Sequence, residues 1–302
     1  MPNASRKHRK KFSHPRRIEV TDEDGWTHVS NTHSVPSSRS TRIMTDGAGD
    51  DPDHNESTPD NQSGSTTIRH LLAPSEPPPK LTLIELRKQF NTHLETWESS
   101  QTWQQLKNAL SKDILNQSQI GIENIVCIGL GSPSGFVQGG WVDRRSVAMY
   151  QLAALTTIID CVKQHNATSS PTQQDAAEMK IMAQDPVFNA LDIELLCLLG
   201  MTVVDSPEGF NDVTEKTLLF APGAERRHLR LMLPADPVMV FGGPLEEGPS
   251  LTARSLDDDT NEDDDSKCLT NFVAQTRSVK IQEFEARPET FWRMRIYWRE
   301  EK

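Results

Sequence analysis

Apolar residues show almost no period over the first 78 positions, where Ser, Thr, Asn, Asp, Pro and Gly predominate. Such a stretch cannot bury enough surface to offset the entropy of ordering, so it is predicted to be a disordered tail. Order is expected to begin after the stiff Pro77-Pro78-Pro79. Thr82-x-x-Glu85 then has the form of a capping box, and Leu83, Leu86, Phe90, Leu94 and Trp97 follow at helical spacing. A second amphipathic segment carries Trp103, Leu106, Leu110 and Ile114. Residues 79–118 are therefore read as a helical lead-in that packs on the domain as a lid or brace, with no catalytic chemistry in it.

From residue 121 the pattern changes to short apolar runs alternating with amphipathic helices, the form of a parallel sheet covered on both faces. Strands are predicted at Asn124 to Ile128, Lys180 to Ala183, Met201 to Val204, Thr217 to Phe220 and Pro237 to Phe241. One helix presents Ala148, Leu152, Leu155, Ile159 and Val162; another presents Phe188, Leu191, Leu195 and Leu198. Trp292, Met294, Ile296 and Trp298 alternate with Arg293, Arg295, Tyr297 and Arg299, which predicts a last strand at a sheet edge with one basic face. The expectation is an α/β domain over residues 119–302, a Rossmann-like, doubly wound, mostly parallel sheet. Its acidic insert at 255–266, with Asp257 to Asp259 and Glu262 to Asp265, reads as a solvated loop. Contiguous carboxylates do not make a calcium loop, which needs alternating ligands and a Gly at the turn.

Composition agrees with a partly folded chain: only 35% of residues are hydrophobic, against about 45–50% in fully globular chains. A formal net charge of −11 argues against nucleic acid or anionic membrane as the main partner, since both require basic surface. No apolar run approaches the length of a membrane span, and the first residues carry charge in place of an apolar signal core. The protein is expected in the cytoplasm and nucleus. The basic run Arg6, Lys7, Arg9, Lys10, Lys11, Arg16 and Arg17 has two readings, a nuclear import or nucleic-acid contact and a solvated tail. Trp26, in Asp24-Gly25-Trp26, is an aromatic in a polar segment; it reads either as a docking anchor for a protein partner or as an incidental contact. Cys127, Cys161, Cys197 and Cys268 are scattered without metal-ligand spacing, so no metal site is expected, and three of them sit in apolar segments as buried thiols would.

The first predicted strand runs into Gly129-Leu130-Gly131-Ser132, and glycines there let a ligand approach the backbone. The third glycine of a dinucleotide fingerprint is replaced by Ser134, and a loop through Gly139 and Gly140 delays the helix. A tight strand-to-helix turn is the competing reading of the same glycines. Asp185, after the second strand, fits either a ribose contact or a helix N-cap ahead of Pro186. Arg144 and Arg145 open a helix beside the Gly-rich loop, where they would meet a phosphate or carboxylate, or simply solvent. Asp192 and Glu194 are two apart and do not face each other, so they are not an acid/base pair. His228, within Glu225-Arg226-Arg227-His228, reads as a surface residue; neither a nucleophile elbow nor a P-loop accompanies it.

The order and spacing of Cys127-Ile128-Gly129-Leu130-Gly131-Ser132, Tyr150-Gln151-Leu152-Ala153, Asp185-Pro186-Val187-Phe188 and Leu199-Gly200-x-Thr202-Val203-Val204 with Glu208-Gly209 resemble the sensitivity-to-red-light-reduced (SRR-like) family, in a fungal-type form. The likeness covers roughly residues 120 to 300, and the Asp-Gly-Trp segment is similar to the tails of eukaryotic members. It implies a regulatory protein of cytoplasm and nucleus, linked to circadian and light signalling in plants, haem biosynthesis in animals and microtubule stability in yeast. No settled reaction or cofactor comes with it. One segment departs from the family: where relatives show a Met-Pro-His-Cys type run, this chain has Ala221-Pro222-Gly223-Ala224. An activity that depends on those side chains is then lost, or His228 substitutes. The leading expectation is a regulator that binds a protein partner or a small molecule, with Gly129, Gly131, Ser132, Arg145 and Asp185 as contacts. The alternative is a nucleotide- or S-adenosylmethionine-dependent enzyme using Gly129, Gly131 and Asp185.

Overall fold

A computed structural model describes residues 17–21, 27–31, 74–117, 121–136, 143–169, 179–246 and 262–299. Within the polar N-terminal stretch, β1 (Arg17–Thr21) and β2 (Thr27–Asn31) pair antiparallel, with Val20 opposite His28. Ile18, Val20 and Val29 supply the β-branched character that favours strands, a signal lost when the whole stretch is averaged as polar. Trp26 and the basic positions before Arg17 lie outside the described residues, as do residues 247–261, which include the first part of the acidic insert.

Helix α1 (Leu83–Glu98) starts at the expected capping box, Thr82 accepting from the Glu85 amide while Glu85 accepts from the Thr82 amide. Helix α2 (Gln101–Ala109) runs on through a π-helical turn at Leu110–Ile114 into α3 (Leu115–Gln117). These helices are not an added lid. Leu86, Phe90, Trp97, Trp103, Leu106, Leu110 and Ile114 are buried within the main core. Trp97 is fully enclosed by Trp103, Phe284 and Phe291, and its indole donates to Thr157 Oγ1 at 3.0 Å.

The α/β unit follows as β3 (Asn124–Ile128), α4 (Arg145–Ser169), β4 (Lys180–Gln184), α5 (Ala190–Leu198), β5 (Thr202–Val203), α6 (Glu208–Asn211), β6 (Thr217–Ala221), α7 (Arg226–Met232), β7 (Met239–Gly242), α8 (Glu262–Ala274), β8 (Thr276–Lys280) and β9 (Arg295–Arg299). Strands β3 to β9 form a seven-stranded sheet in the order β5-β4-β3-β6-β7-β9-β8. The five strands from β5 to β7 are parallel, β9 is antiparallel to β7, and β8 is antiparallel to β9. This is a Rossmann-like, doubly wound, mostly parallel sheet. The strand alternation divides two cores. Ile125, Cys127, Phe220, Phe241, Ile296 and Trp298 face α1, α2, α4 and α5, while Val126, Ile128, Met182, Val240 and Tyr297 face α6, α7 and α8. The order reverses between β3 and β6, which places the crevice of an open α/β sheet at their carboxyl ends.

Several expectations need correction. β9 is interior, and β8 forms the edge; its Tyr297 is fully buried because both sheet faces are covered. The arginines of β9 are paired, Arg295 with Glu246 and Ser278, Arg299 with Asp236. The run at 262–265 opens α8, so a charge run read as a solvated loop belongs to a helix. Helix α5 is capped by Asn189, three residues beyond the Asp185-Pro186 pair, and buries Asp192, Leu195 and Leu196 while Leu198 is exposed. Of the thiols, Cys127 and Cys161 are buried but Cys197 is exposed.

Candidate functional site

The carboxyl end of β3 turns through two glycines in the left-handed region, Gly129 at φ +74° and Gly131 at φ +75°. Gly129 is required twice. Its backbone lies against the turn after β6, where a Cβ at 129 would stand 2.7 Å from the Gly223 carbonyl carbon and 2.8 Å from the Ala224 nitrogen. Reciprocally, a Cβ at Gly223 would stand 2.4 Å from the Gly129 oxygen. The switch point between β3 and β6 is thus closed by backbone on backbone. The contact leaves no room at Gly223 for any side chain unless the backbone moves.

Beyond Gly129 the loop is held by two buried carboxylates. Asp185, at the end of β4, accepts from the Gly131 amide at 2.7 Å through one oxygen and from the Val187 amide at 3.0 Å through the other. Asp192, in the first turn of α5, accepts from Ser132 Oγ at 2.6 Å, the Ser134 amide at 2.9 Å and the Asn189 amide at 3.1 Å. Asn189 caps α5 through its carbonyl and donates through Nδ2 to Ser134 Oγ at 2.8 Å and Ser75 Oγ at 3.0 Å. Burial pushes the Asp185 carboxyl up to about 6, opposed by its two backbone donors and reinforced by Asp192. Burial also raises Asp192, against the hydroxyl and amide donors that favour its anion. The Cys127 thiol is driven far up, by burial first and by Asp185 second.

Gly129, Gly131, Ser132 and Asp185 therefore meet at one place, with Asp185 engaged inside the protein. Arg145 begins α4. Its guanidinium makes a two-pronged bond to Asp143 at 3.0 and 2.9 Å and lies 4.0 Å from the centre of the Phe136 ring. Ser75 and Asn189 do not figure in the sequence reading, and Ser134 and Asp192 figure there without this role. The spacing Asn189-x-x-Asp192 ahead of an apolar run was the available signal, since it is a capping arrangement. His228 is not at the surface: it is buried in the second core and stacks on Phe210 at 5.4 Å. Nearby in the chain, Gln184 accepts from the Gly209 amide at 2.8 Å, where a Cβ at 209 would reach within 2.9 Å of the same oxygen.

A cavity of about 220 Å³ lies elsewhere, between α1 and α4, lined by Phe90, Leu94, Glu98, Ile159, Asp160 and Lys163 among others. None of the strand-end residues borders it. Among the described residues, no cluster of three or more His, Cys, Asp or Glu is arranged to hold a metal ion, and no helix is long and apolar enough to cross a membrane.

Comparison with known proteins gives one fold likeness and one family. The crystal structure of a presumed O-methyltransferase from Klebsiella pneumoniae is similar over 70% of this chain and 90% of that one, at 12% identity and a TM-score of 0.34, too low to carry an argument. No curated protein matches. The model of the SRR1 domain matches residues 86–298, which takes in most of α1, the whole parallel sheet, the strand-end loop and most of β9. The chain belongs to the SRR1 domain family.

Proposed function

We propose that the protein is a regulatory member of its family that works by binding a partner at the carboxyl end of the parallel sheet, without a reaction there. The observation that carries this reading is the internal use of the groups a cofactor would need. Asp185, the carboxylate in position to hold a ribose, is spent on the Gly131 and Val187 amides. Gly129, the glycine that would admit a pyrophosphate, is pressed against Gly223. A site whose donors and acceptors satisfy one another is a preformed surface, and diverting either group to a cofactor strands its present partner, at about 1–3 kcal/mol for each buried group left unpaired. Action in the cytoplasm and nucleus, in the signalling, haem and cytoskeletal settings associated with the family, belongs to the same proposal.

The second reading, a nucleotide- or S-adenosylmethionine-dependent enzyme, is favoured by the strand-order reversal beside two left-handed glycines. A thermal-shift panel of adenine and nicotinamide nucleotides, S-adenosylmethionine and haem on the full chain separates them, because a ligand of the native state raises its apparent stability. No shift is expected. A shift that disappears in Gly131→Trp, accompanied by turnover of the compound, overturns the regulatory reading in favour of the enzyme.

A further inference from the structure

Ahead of α1 the chain crosses the strand-end loop. The Ser75 amide donates to the Val187 carbonyl at 2.9 Å, and Glu76 and Phe136 exchange both backbone bonds at 3.0 and 2.9 Å as a single antiparallel bridge. Ser75 is buried while Pro74 and Glu76 on either side are exposed. Its hydroxyl accepts from Asn189 Nδ2 and sits so close over Gly135 that a Cβ there would come within 2.3 Å of it. The seat is therefore a groove with Gly135 as floor, the Phe136 backbone on one wall, and the Val187 carbonyl and Asn189 amide on the other. It grips main chain and one small hydroxyl.

We propose that this groove is a docking site for an extended peptide segment carrying a serine, and that Ser75-Glu76 is the chain's own occupant, displaced when a partner's segment of the same form binds. The proposal rests on the partner-binding reading above and names the partner's chemistry. Recognition is by addition of a short strand, in which backbone bonds supply affinity and the pocket selects the side chain. Gly135 sets the selection, since a residue much larger than serine collides with the floor. The occupant is held by hydrogen bonds of modest net worth, set against the ordering of its own backbone. It also departs cleanly. Pro77-Pro78-Pro79 separates it from α1, whose capping box is complete without it. Its departure uncovers the Val187 carbonyl, the Phe136 amide and carbonyl and the Asn189 amide, all of which require new partners.

The test compares the full chain with its Ser75→Tyr variant, using a fluorescein-labelled peptide of the sequence from Leu72 to Pro79 and fluorescence anisotropy, with hydrogen exchange followed at the Phe136 amide. Release of the strap in the variant is expected to speed exchange at Phe136. The variant should then bind the peptide at least about tenfold more tightly than the unaltered chain, where the tethered strap competes at high effective concentration. Glu76→Pro, which deletes the amide donor to Phe136 without adding bulk to the pocket, should give the same gain. Adding Gly135→Val to either variant should abolish binding. Equal peptide binding by all chains, or faster exchange with no peptide binding, overturns the proposal; so does unchanged exchange at Phe136 in both variants. Nucleotide turnover would sink the regulatory reading alone and leave this result standing.

Discussion

Replacing Gly129 by alanine separates two costs that the structure assigns to one residue. The left-handed backbone, at φ +74°, costs an L-residue about 1–2 kcal/mol. The new methyl also stands 2.7 Å from one backbone atom and 2.8 Å from another. Backbone cannot rotate aside as a side chain would, so overpacking adds about 1–3 kcal/mol. The expected loss is about 3 kcal/mol. Gly131 shares the conformation, at φ +75°, but its methyl would meet Ala148 Cβ at a comfortable 3.8 Å; Gly200, at φ +80°, would meet nothing within 4 Å. Both alanine variants should lose only about 1 kcal/mol. Gly223→Ala supplies the complement, a clash without left-handed strain, and should lose about as much as the gap between Gly129→Ala and Gly131→Ala. The entropy removed from the unfolded chain is common to all four and cancels. Urea unfolding followed by circular dichroism, at unchanged m value, reads the series directly. If Gly129→Ala unfolds at the same midpoint as Gly131→Ala, the closure of the switch point by Gly223 is wrong.

Two further expectations concern the buried carboxylates. Because the folded pKa of Asp185 lies near 6, above its ordinary 3.8, the native state holds that proton more tightly than the unfolded chain does. Its contribution to stability is fully present below about pH 4, falls by about 3 kcal/mol as pH rises through 6, and is flat above. Unfolding free energies at pH 4.5, 6 and 7.5, taken relative to Asp185→Asn, should show that decline; parallel profiles would refute it. Asp192→Ala removes the acceptor of Ser132 Oγ and the Ser134 and Asn189 amides together. Stranding buried donors in this way should cost about 3 kcal/mol, against far less for Glu194→Ala on the exposed side of the same helix, and an equal loss in the two variants would dismiss the network.

The interior parallel strands β4, β3, β6 and β7 were legible because each is a short apolar run, the pattern that burial on both sheet faces leaves. α8 and β8 were not. Glu262 to Asp265 carries the charge of a solvated loop, and without an apolar period its place in the first turn of a helix does not show. Burial of β9 on both faces hid in the same way, because Arg295 and Arg299 alternate like a solvent face while their partners Glu246 and Asp236 lie far off in the sequence. At the candidate site, glycines and Asp185 announced themselves by type. Asn189, Asp192 and Ser75 did not, since their roles come from contacts across 55 to 114 positions, which local spacing cannot display.

The enclosure of Trp97 by Phe284 and Phe291 bears on how the chain is made. α1 leaves the ribosome well before Phe284 and Phe291, the rings that close over Trp97 on its apolar face. Loop closure across most of the domain must precede burial of that face, which slows folding. The lead-in helices must wait with Trp97 uncovered until those distant rings emerge, and over that interval the nascent chain exposes apolar surface of the kind chaperones cover.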